Sequence, residues 1–185
     1  SPAEITGRVI ILPAMNFPAF LNASRTSPID KGNLNRSFPG KADGTVTQKI
    51  ADYVLRHLVP EADIVLDLHS GGKTLDFIPF AAVHVLDDKE QEARCVNAMK
   101  AFAAPYSMMM LELDSVGMFD TVVEEAGKTF VTTELGGGGS TTAERVAIAD
   151  RGVRNLLIHA GILTGKPDVP DDSGIMLDMP DGNCF

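Results

Sequence analysis

The hydrophobic pattern of the chain alternates between two periods. Continuous apolar or β-branched runs of strand length predict strands at residues 7–13, 62–68, 78–86, 107–111 and 129–135. Helices are predicted among them, with apolar positions three and four residues apart, at residues 45–59, 88–103 and 142–160. The last helix follows a capping box, Thr141-x-x-Glu144. Strands and helices alternate, so the sequence predicts an α/β fold.

Two segments lack a sustained period. Residues 14–44 are rich in Asn, Ser, Pro and Gly, and irregular segments of this length in a compact domain are usually functional. Residues 166–185 are rich in Asp and Pro, which is typical of a linker or the start of a further domain. We therefore expect one domain over residues 1–165, with its long loop as a candidate place for a functional site.

Charge and length exclude several classes of protein. The net charge of −9, with no cluster of Lys and Arg, argues against a nucleic-acid partner. No apolar run is long enough to cross a bilayer and the first residues do not form a leader, so we expect a cytoplasmic protein without a membrane partner. The two cysteines, Cys95 and Cys184, are expected to be ordinary thiols.

Two predicted strands end in an ionisable residue followed by glycines. His69 closes one strand before Gly71 and Gly72, and Glu134 closes another before four glycines at 136–139. Ligands of open α/β sheets bind beyond the carboxyl ends of strands, so both residues are expected to face one crevice. His69 is then a metal ligand or base, or a structural histidine at the core edge. Glu134 is a catalytic carboxylate, or an acceptor for backbone N–H groups of the turn.

The glycine run also allows a nucleotide site, in which backbone N–H groups cradle a phosphate at the start of a helix. Residues 136–141 lack the lysine of a P-loop and have no G-x-G-x-x-G in register. The anionic Glu134 stands where a phosphate would approach. The nucleotide interpretation is kept as the weaker alternative.

The long loop contains the segment Asn-Leu-Asn-Arg-Ser-Phe-Pro-Gly at residues 33–40. Arg36 could hold a carboxylate with two parallel hydrogen bonds, and the amide of Asn35 could fix its orientation. Arg25, upstream in the same loop, could reach a developing oxyanion. The alternative for each arginine is a solvated side chain without a ligand.

Four motifs in this order resemble the succinylglutamate desuccinylase/aspartoacylase family. They are Gly-Arg-Val-Ile-Ile-Leu-Pro-Ala-x-Asn, Asn-Leu-Asn-Arg-Ser-Phe-Pro-Gly, Asp-Leu-His-Ser-Gly-Gly and Thr-Glu-Leu-Gly-Gly. The resemblance covers residues 7–165. Within the family, the chain is most similar to deacetylases of N-acetyl-diaminobutyrate-type substrates in ectoine breakdown.

The resemblance implies a three-layer, zinc carboxypeptidase-like domain with a mostly parallel or mixed sheet flanked by helices. It implies hydrolysis of the amide of an N-acyl amino acid of the acetyl or succinyl type, with one zinc ion as cofactor. His69 matches a zinc ligand and Glu134 the general acid/base. Asn35 and Arg36 match the pair that binds the substrate carboxylate, and Arg25 the group that polarises the scissile carbonyl.

The chain departs from the family pattern in its metal ligands. The family holds zinc through a His-x-x-Glu pair and a later histidine, but no His-x-x-Glu occurs in this sequence. That pair would precede residue 1, and the β-rich C-terminal domain of the family is also missing. We therefore expect this chain alone to be inactive and poor in metal. A non-catalytic carboxylate-binding domain of the same fold stays open as an alternative, as does a homo-oligomer.

Overall fold

The computed structural model describes residues 5–177 and residue 179 of the 185. The helices of this part are α1 (Phe17–Leu21), α2 (Val46–Tyr53), α3 (Lys89–Phe102), α4 (Phe119–Glu125) and α5 (Ala143–His159). The strands are β1 (Ile64–His69), β2 (Phe80–His84), β3 (Tyr106–Met110), β4 (Thr129–Glu134) and β5 (Ile175–Leu177). No helix among the described residues is long and apolar enough to cross a membrane.

The chain divides into two compact units, each with its own internal contacts. The first unit comprises the described residues of Ser1–Arg8, Leu66–Leu113 and Thr129–Phe185. The second unit comprises Val9–Val65 and Asp114–Lys128.

A five-stranded sheet in the order β1-β4-β2-β3-β5 dominates the first unit. β3 pairs in parallel with both β2 and β5, whereas β4 is antiparallel to β2. The ends of β1 and β4 are joined by two hydrogen bonds. Leu135 N–H donates to the His69 carbonyl, and Gly71 N–H donates to the Gly136 carbonyl. Residue numbers rise together along both segments, as they do in a parallel pair. The sheet is therefore mixed and mostly parallel.

Two helices, α3 and α5, pack on each other in the same unit, and α3 also contacts β2 and β4. The helices approach closely because Gly152 faces the fully buried ring of Phe102, where an added Cβ would lie 2.3 Å from the ring. The largest fully buried side chains here are Phe102, Phe130, Met99, Val83 and Val131. The prediction of an α/β fold with a mostly parallel or mixed sheet flanked by helices is confirmed.

Helix α2 gives the second unit its longest regular element. It begins at Thr45, whose side chain accepts from Gln48 N–H while the Gln48 side chain accepts from Thr45 N–H. After Tyr53 the helix continues as a π-helical turn, Val54–Leu58, and a 3-10 turn, Val59–Glu61, which contains the proline that ends it. The helix predicted over residues 45–59 is confirmed.

The strand predicted over residues 7–13 was wrong, because this segment is irregular. Its apolar residues are exposed, Ile11 to 74%. An apolar β-branched run becomes a strand only by pairing with a neighbour. No strand of the described chain pairs with these residues.

Two further local predictions are corrected. Helix α5 starts after Thr142, not at a capping box on Thr141, because Thr142 has the extended backbone and its hydroxyl accepts from Arg145 N–H at 3.2 Å. The irregular segment 166–185 contains the short strand β5, while residues 178 and 180–185, Cys184 among them, lie outside the described part. Cys95 is buried, and its Sγ accepts from the Phe130 N–H at 3.4 Å. The domain boundary at residue 165 stays a prediction.

Candidate active site

His69 is the last residue of β1 and is held by a carboxylate on its own strand. Asp67 and His69 are two residues apart, so both side chains point to the same face of the sheet. His69 Nε2 lies 2.7 Å from Asp67 Oδ2, with the histidine side chain 39% exposed and the aspartate more buried. A carboxylate on one ring nitrogen is the usual support of a metal-binding histidine. Asp67 was not predicted as a site residue, although its two-residue spacing from His69 carried the signal.

Glu134 is the last residue of β4, the neighbour of β1 in the sheet. The residue after it, Leu135, donates its N–H to the carbonyl of His69 at 2.9 Å. The Oε2 atom of Glu134 is buried. The ends of the two strands therefore lie side by side within one unit, which brings together two of the predicted site residues.

The glycine turn after Glu134 is packed against the loop that follows β1. Gly138 donates its N–H to the Leu75 carbonyl and Gly139 to the Gly72 carbonyl, both at 2.8 Å. A Cβ at Gly137, where φ is +147°, would lie 2.1 Å from the Leu75 oxygen. Two of the N–H groups that a phosphate would need are thus engaged within the protein. This arrangement weighs against the nucleotide-site interpretation.

Asn35 and Arg36 lie together in a 3-10 turn of the second unit, Leu34–Arg36. Asn35 Oδ1 accepts from Phe119 N–H at 2.7 Å, at the start of α4, and this bond orients the amide. The Arg36 guanidinium contacts the Sδ of Met118 and lies 3.6 Å from a carboxylate oxygen of Asp114. An exposed guanidinium beside an oriented amide is suited to bind a carboxylate.

Arg25 is exposed in the turn after α1. Within residues 5–177, no hydrogen bond or ion pair joins Arg25 to Asn35 or Arg36. The structure therefore brings Asn35 and Arg36 together, while no hydrogen bond or ion pair among the described residues joins Arg25 to them.

Asp30 anchors the loop that carries these residues. Its carboxylate accepts from the backbone N–H and the hydroxyl of Thr47 in the first turn of α2, both at 2.8 Å. The Thr47 backbone bond, followed by the side chain of Thr45 and the N–H of Gly32, holds the pKa of Asp30 well below its ordinary value. Asp30 was not predicted as a site residue.

His84 was predicted to be structural and is buried at the end of β2. Its Nε2 lies 3.8 Å from Glu112 Oε2. A catalytic zinc ion usually takes three protein ligands, and this pair alone supplies two. In the part of the chain that the structure describes, His69 does not belong to any group of three His, Cys, Asp or Glu ligand atoms.

Comparison with known proteins confirms the resemblance carried by the four sequence motifs. Residues 1–160 match the succinylglutamate desuccinylase/aspartoacylase catalytic domain. The chain is 60% identical over 182 residues to the N-alpha-acetyl-L-2,4-diaminobutyric acid deacetylase of Halomonas elongata. This match covers 98% of the chain and 53% of the relative, so the chain spans about half the length of the curated relative it matches.

Solved structures show the same relationship. The product-bound ectoine utilization protein EutE (DoeB) from Ruegeria pomeroyi has 63% identity and a TM-score of 0.95, over 99% of this chain and 55% of that chain. A succinylglutamate desuccinylase/aspartoacylase from Rhodobacter sphaeroides has 36% identity and a TM-score of 0.90, over 98% and 55%. The structural similarity and the sequence similarity thus indicate the same family.

Proposed function

The chain belongs to the succinylglutamate desuccinylase/aspartoacylase family, and we propose that the protein hydrolyses the amide bond of an N-acyl amino acid, releasing a carboxylate and an amine. The observation that carries this proposal is the adjacency of His69 and Glu134 at the ends of neighbouring strands. N-α-acetyl-L-2,4-diaminobutyric acid is the first substrate to test, because a relative with 60% identity is named for it.

Glu134 is proposed as the general acid/base. Its carboxylate takes a proton from the attacking water, and the same group later gives that proton to the leaving amine. The rigid end of β4 holds the side chain, and burial of Oε2 restricts its contact with bulk water. These properties support the role, which also requires a water molecule and an amide within hydrogen-bond reach.

His69 is proposed as one zinc ligand. The donor set fits in part: Asp67 supports Nε2 of His69, and Nδ1 would be the coordinating atom. Zinc, when bound, would polarise the carbonyl and lower the pKa of its water. Among the described residues His69 does not belong to a group of three possible ligand atoms, so a zinc site at His69 would need further protein ligands.

Asn35 and Arg36 are proposed to bind the carboxylate of the substrate, and Arg25 to stabilise the oxyanion. Asn35 presents Nδ2 as its donor, because Oδ1 is occupied by the Phe119 N–H. The guanidinium of Arg36 offers the planar pair of donors that a carboxylate accepts. The role of Arg25 is supported only by the resemblance to the family, because Arg25 lies outside the four motifs.

The test is amine release from a panel of N-acetyl, N-succinyl and other N-acyl amino acids by the full-length, zinc-loaded protein. Glu134→Gln should keep the metal and lower kcat by about 10³-fold or more, because the proton acceptor is lost. Glu125→Gln, on the exposed end of α4, is the matched control. Near-normal turnover of the Glu134 variant would refute the assigned role.

A non-catalytic carboxylate-binding domain is the second candidate for the chain as it stands, because His69 lacks two companion ligands among the described residues. On this proposal the 185-residue polypeptide binds little zinc and releases no amine. Metal analysis after dialysis and the same substrate panel distinguish the two. Tightly bound zinc at one ion per chain would contradict the expectation.

A further inference from the structure

Asp76 and Arg145 form an ion pair beside the turn that follows Glu134. A guanidinium nitrogen of Arg145 lies 2.7 Å from Asp76 Oδ1, and only 20% of the arginine side chain is exposed. Asp76 belongs to the loop after β1, and Arg145 to the first turn of α5. The pair therefore connects the segments that follow the two proposed site residues, His69 and Glu134.

The position of Arg145 within its helix is unfavourable by itself. A cation in the first turn of a helix opposes the positive end of the helix dipole. Its backbone N–H is capped by Thr142, which fixes where the side chain leaves the helix. The carboxylate of Asp76 offsets the unfavourable placement and holds the guanidinium over the turn.

The side chain of Arg145 fills the space beside Gly136. A Cβ built on Gly136 would lie 2.4 Å from Arg145 Nε and 2.5 Å from Cζ. Gly136 follows Glu134 by two residues and has a φ of +89°. The guanidinium thus packs directly on the backbone that leads away from the proposed catalytic carboxylate.

Backbone hydrogen bonds connect the same two segments. Asp76 forms a β-bridge with Gly137. The Gly136 carbonyl accepts from Gly71 N–H at 2.9 Å and from Phe77 N–H at 3.4 Å. Backbone hydrogen bonds therefore already connect the turn after Glu134 to the loop after β1, and the ion pair adds a side-chain connection between the same two segments.

We propose that Arg145, held by Asp76, is a positioning residue that fixes the turn after Glu134 and thereby aims the Glu134 carboxylate at the water and the leaving amine. The inference rests on the proposed function of Glu134. Arg145 need not touch the substrate. Proton transfer is sensitive to small displacements of the carboxylate, because catalytic groups act within a narrow geometry.

The kinetic test uses the full-length, zinc-loaded protein and its best N-acyl amino acid substrate. Arg145→Ala should lower kcat by about 10–100-fold and change KM by less than about threefold, because carboxylate alignment is lost while substrate binding is kept. Arg145→Lys retains the charge and should recover part of kcat. Arg154→Ala, at an exposed position of the same helix, is the matched control and should match wild type.

A second readout does not depend on turnover. The amides of Gly138 and Gly139 donate across the turn to the carbonyls of Leu75 and Gly72. In Arg145→Ala their hydrogen exchange should accelerate by about tenfold or more, because the turn opens more often. Leu156→Ala, which removes a buried side chain of α5, is a control for general destabilisation and should leave these amides and kcat unchanged.

A kcat of Arg145→Ala within about twofold of wild type would overturn the inference, as would an equal loss in Leu156→Ala. Unchanged exchange at Gly138 and Gly139 would also overturn it. Should Arg145→Ala fail to fold, Asp76→Asn decides by the same two measurements. Wild-type protein that releases no amine contradicts the proposed function instead, and hydrogen exchange still decides whether Arg145 fixes the turn.

Discussion

Asp30 connects the loop that carries Asn35 and Arg36 to the start of α2, and its replacement gives a sharp test of the second unit. Both oxygens of its carboxylate accept hydrogen bonds from Thr47, whose side chain is fully buried. One oxygen also accepts from Gly32 N–H at 3.1 Å. The negative charge lies at the positive end of α2, which adds to the stabilisation.

Asp30→Asn keeps one carbonyl oxygen but turns an NH₂ group towards donors. Each lost hydrogen bond to a charged acceptor costs about 1.5–3 kcal/mol. Asp30→Asn keeps one acceptor oxygen and loses one or two of these hydrogen bonds, so the free energy of unfolding should fall by about 2–4 kcal/mol. Urea denaturation at pH 7 measures the change, followed by far-UV circular dichroism because the chain has no tryptophan. The midpoint should fall by about 1–2 M.

The pH dependence of this loss has a defined sign. The folded state lowers the pKa of Asp30, chiefly through the Thr47 backbone bond, so the carboxylate stabilises the fold above the unfolded pKa of 3.8. The difference between wild type and Asp30→Asn should be constant from about pH 6 to 8 and shrink as the pH falls below about 4. Asp43→Asn, at an exposed partner of Lys41, should change stability by less than about 0.5 kcal/mol. Equal losses in both variants, or a difference that grows towards acid, would refute the reasoning.

Three further outcomes are expected. Asp67→Asn in the full-length protein should weaken zinc binding by about 10–100-fold, measured by competition with a chelator, because the His69 ring loses its carboxylate support; unchanged affinity would count against His69 as a ligand. Asn35→Ala should raise KM more than it lowers kcat for substrates with a free carboxylate, and equal effects on the methyl ester would contradict the role. Gly137→Ala should lower the free energy of unfolding by about 2–3 kcal/mol, because its Cβ would meet the Leu75 carbonyl oxygen. Gly127→Ala, which has open space around it, should lower the free energy of unfolding by about 1 kcal/mol, and equal losses in urea denaturation would show that crowding at Gly137 is unimportant.

Elements with strong local patterns were predictable from the sequence. β1 and β4 lie within two residues of their predicted bounds, since their apolar runs are long enough to show in the sequence. β5 was missed because it has three residues and is largely exposed, so its pairing with β3 decides its conformation. The strand predicted at residues 7–13 failed for the opposite reason, because its apolar pattern has no strand beside it in the described chain.

The positions of the candidate site residues were predictable where an ionisable residue ends a strand. His69 and Glu134 were located by the ends of their strands, and Asp67 was readable from its two-residue spacing. The Asp76–Arg145 pair joins segments far apart in sequence, so neither residue carries a local signal. The predicted N-cap of α5 was Thr141 and the observed N-cap is Thr142, so the position of Arg145 in the first turn was also predicted wrongly by one residue.

The glycine run illustrates how composition can mislead about chemistry. At Gly137 the reason for glycine is a carbonyl oxygen of the neighbouring loop, and at Gly136 it is the side chain of Arg145. A phosphate-binding loop presents its N–H groups to a ligand, whereas Gly138 and Gly139 donate theirs to carbonyls across the turn. Close packing therefore explains Gly136 and Gly137, whereas Gly138 and Gly139 have room for a Cβ but adopt a positive φ. A turn packed on both sides is also the kind of support that a catalytic carboxylate two residues earlier needs, so the feature that suggested a nucleotide site favours the hydrolase.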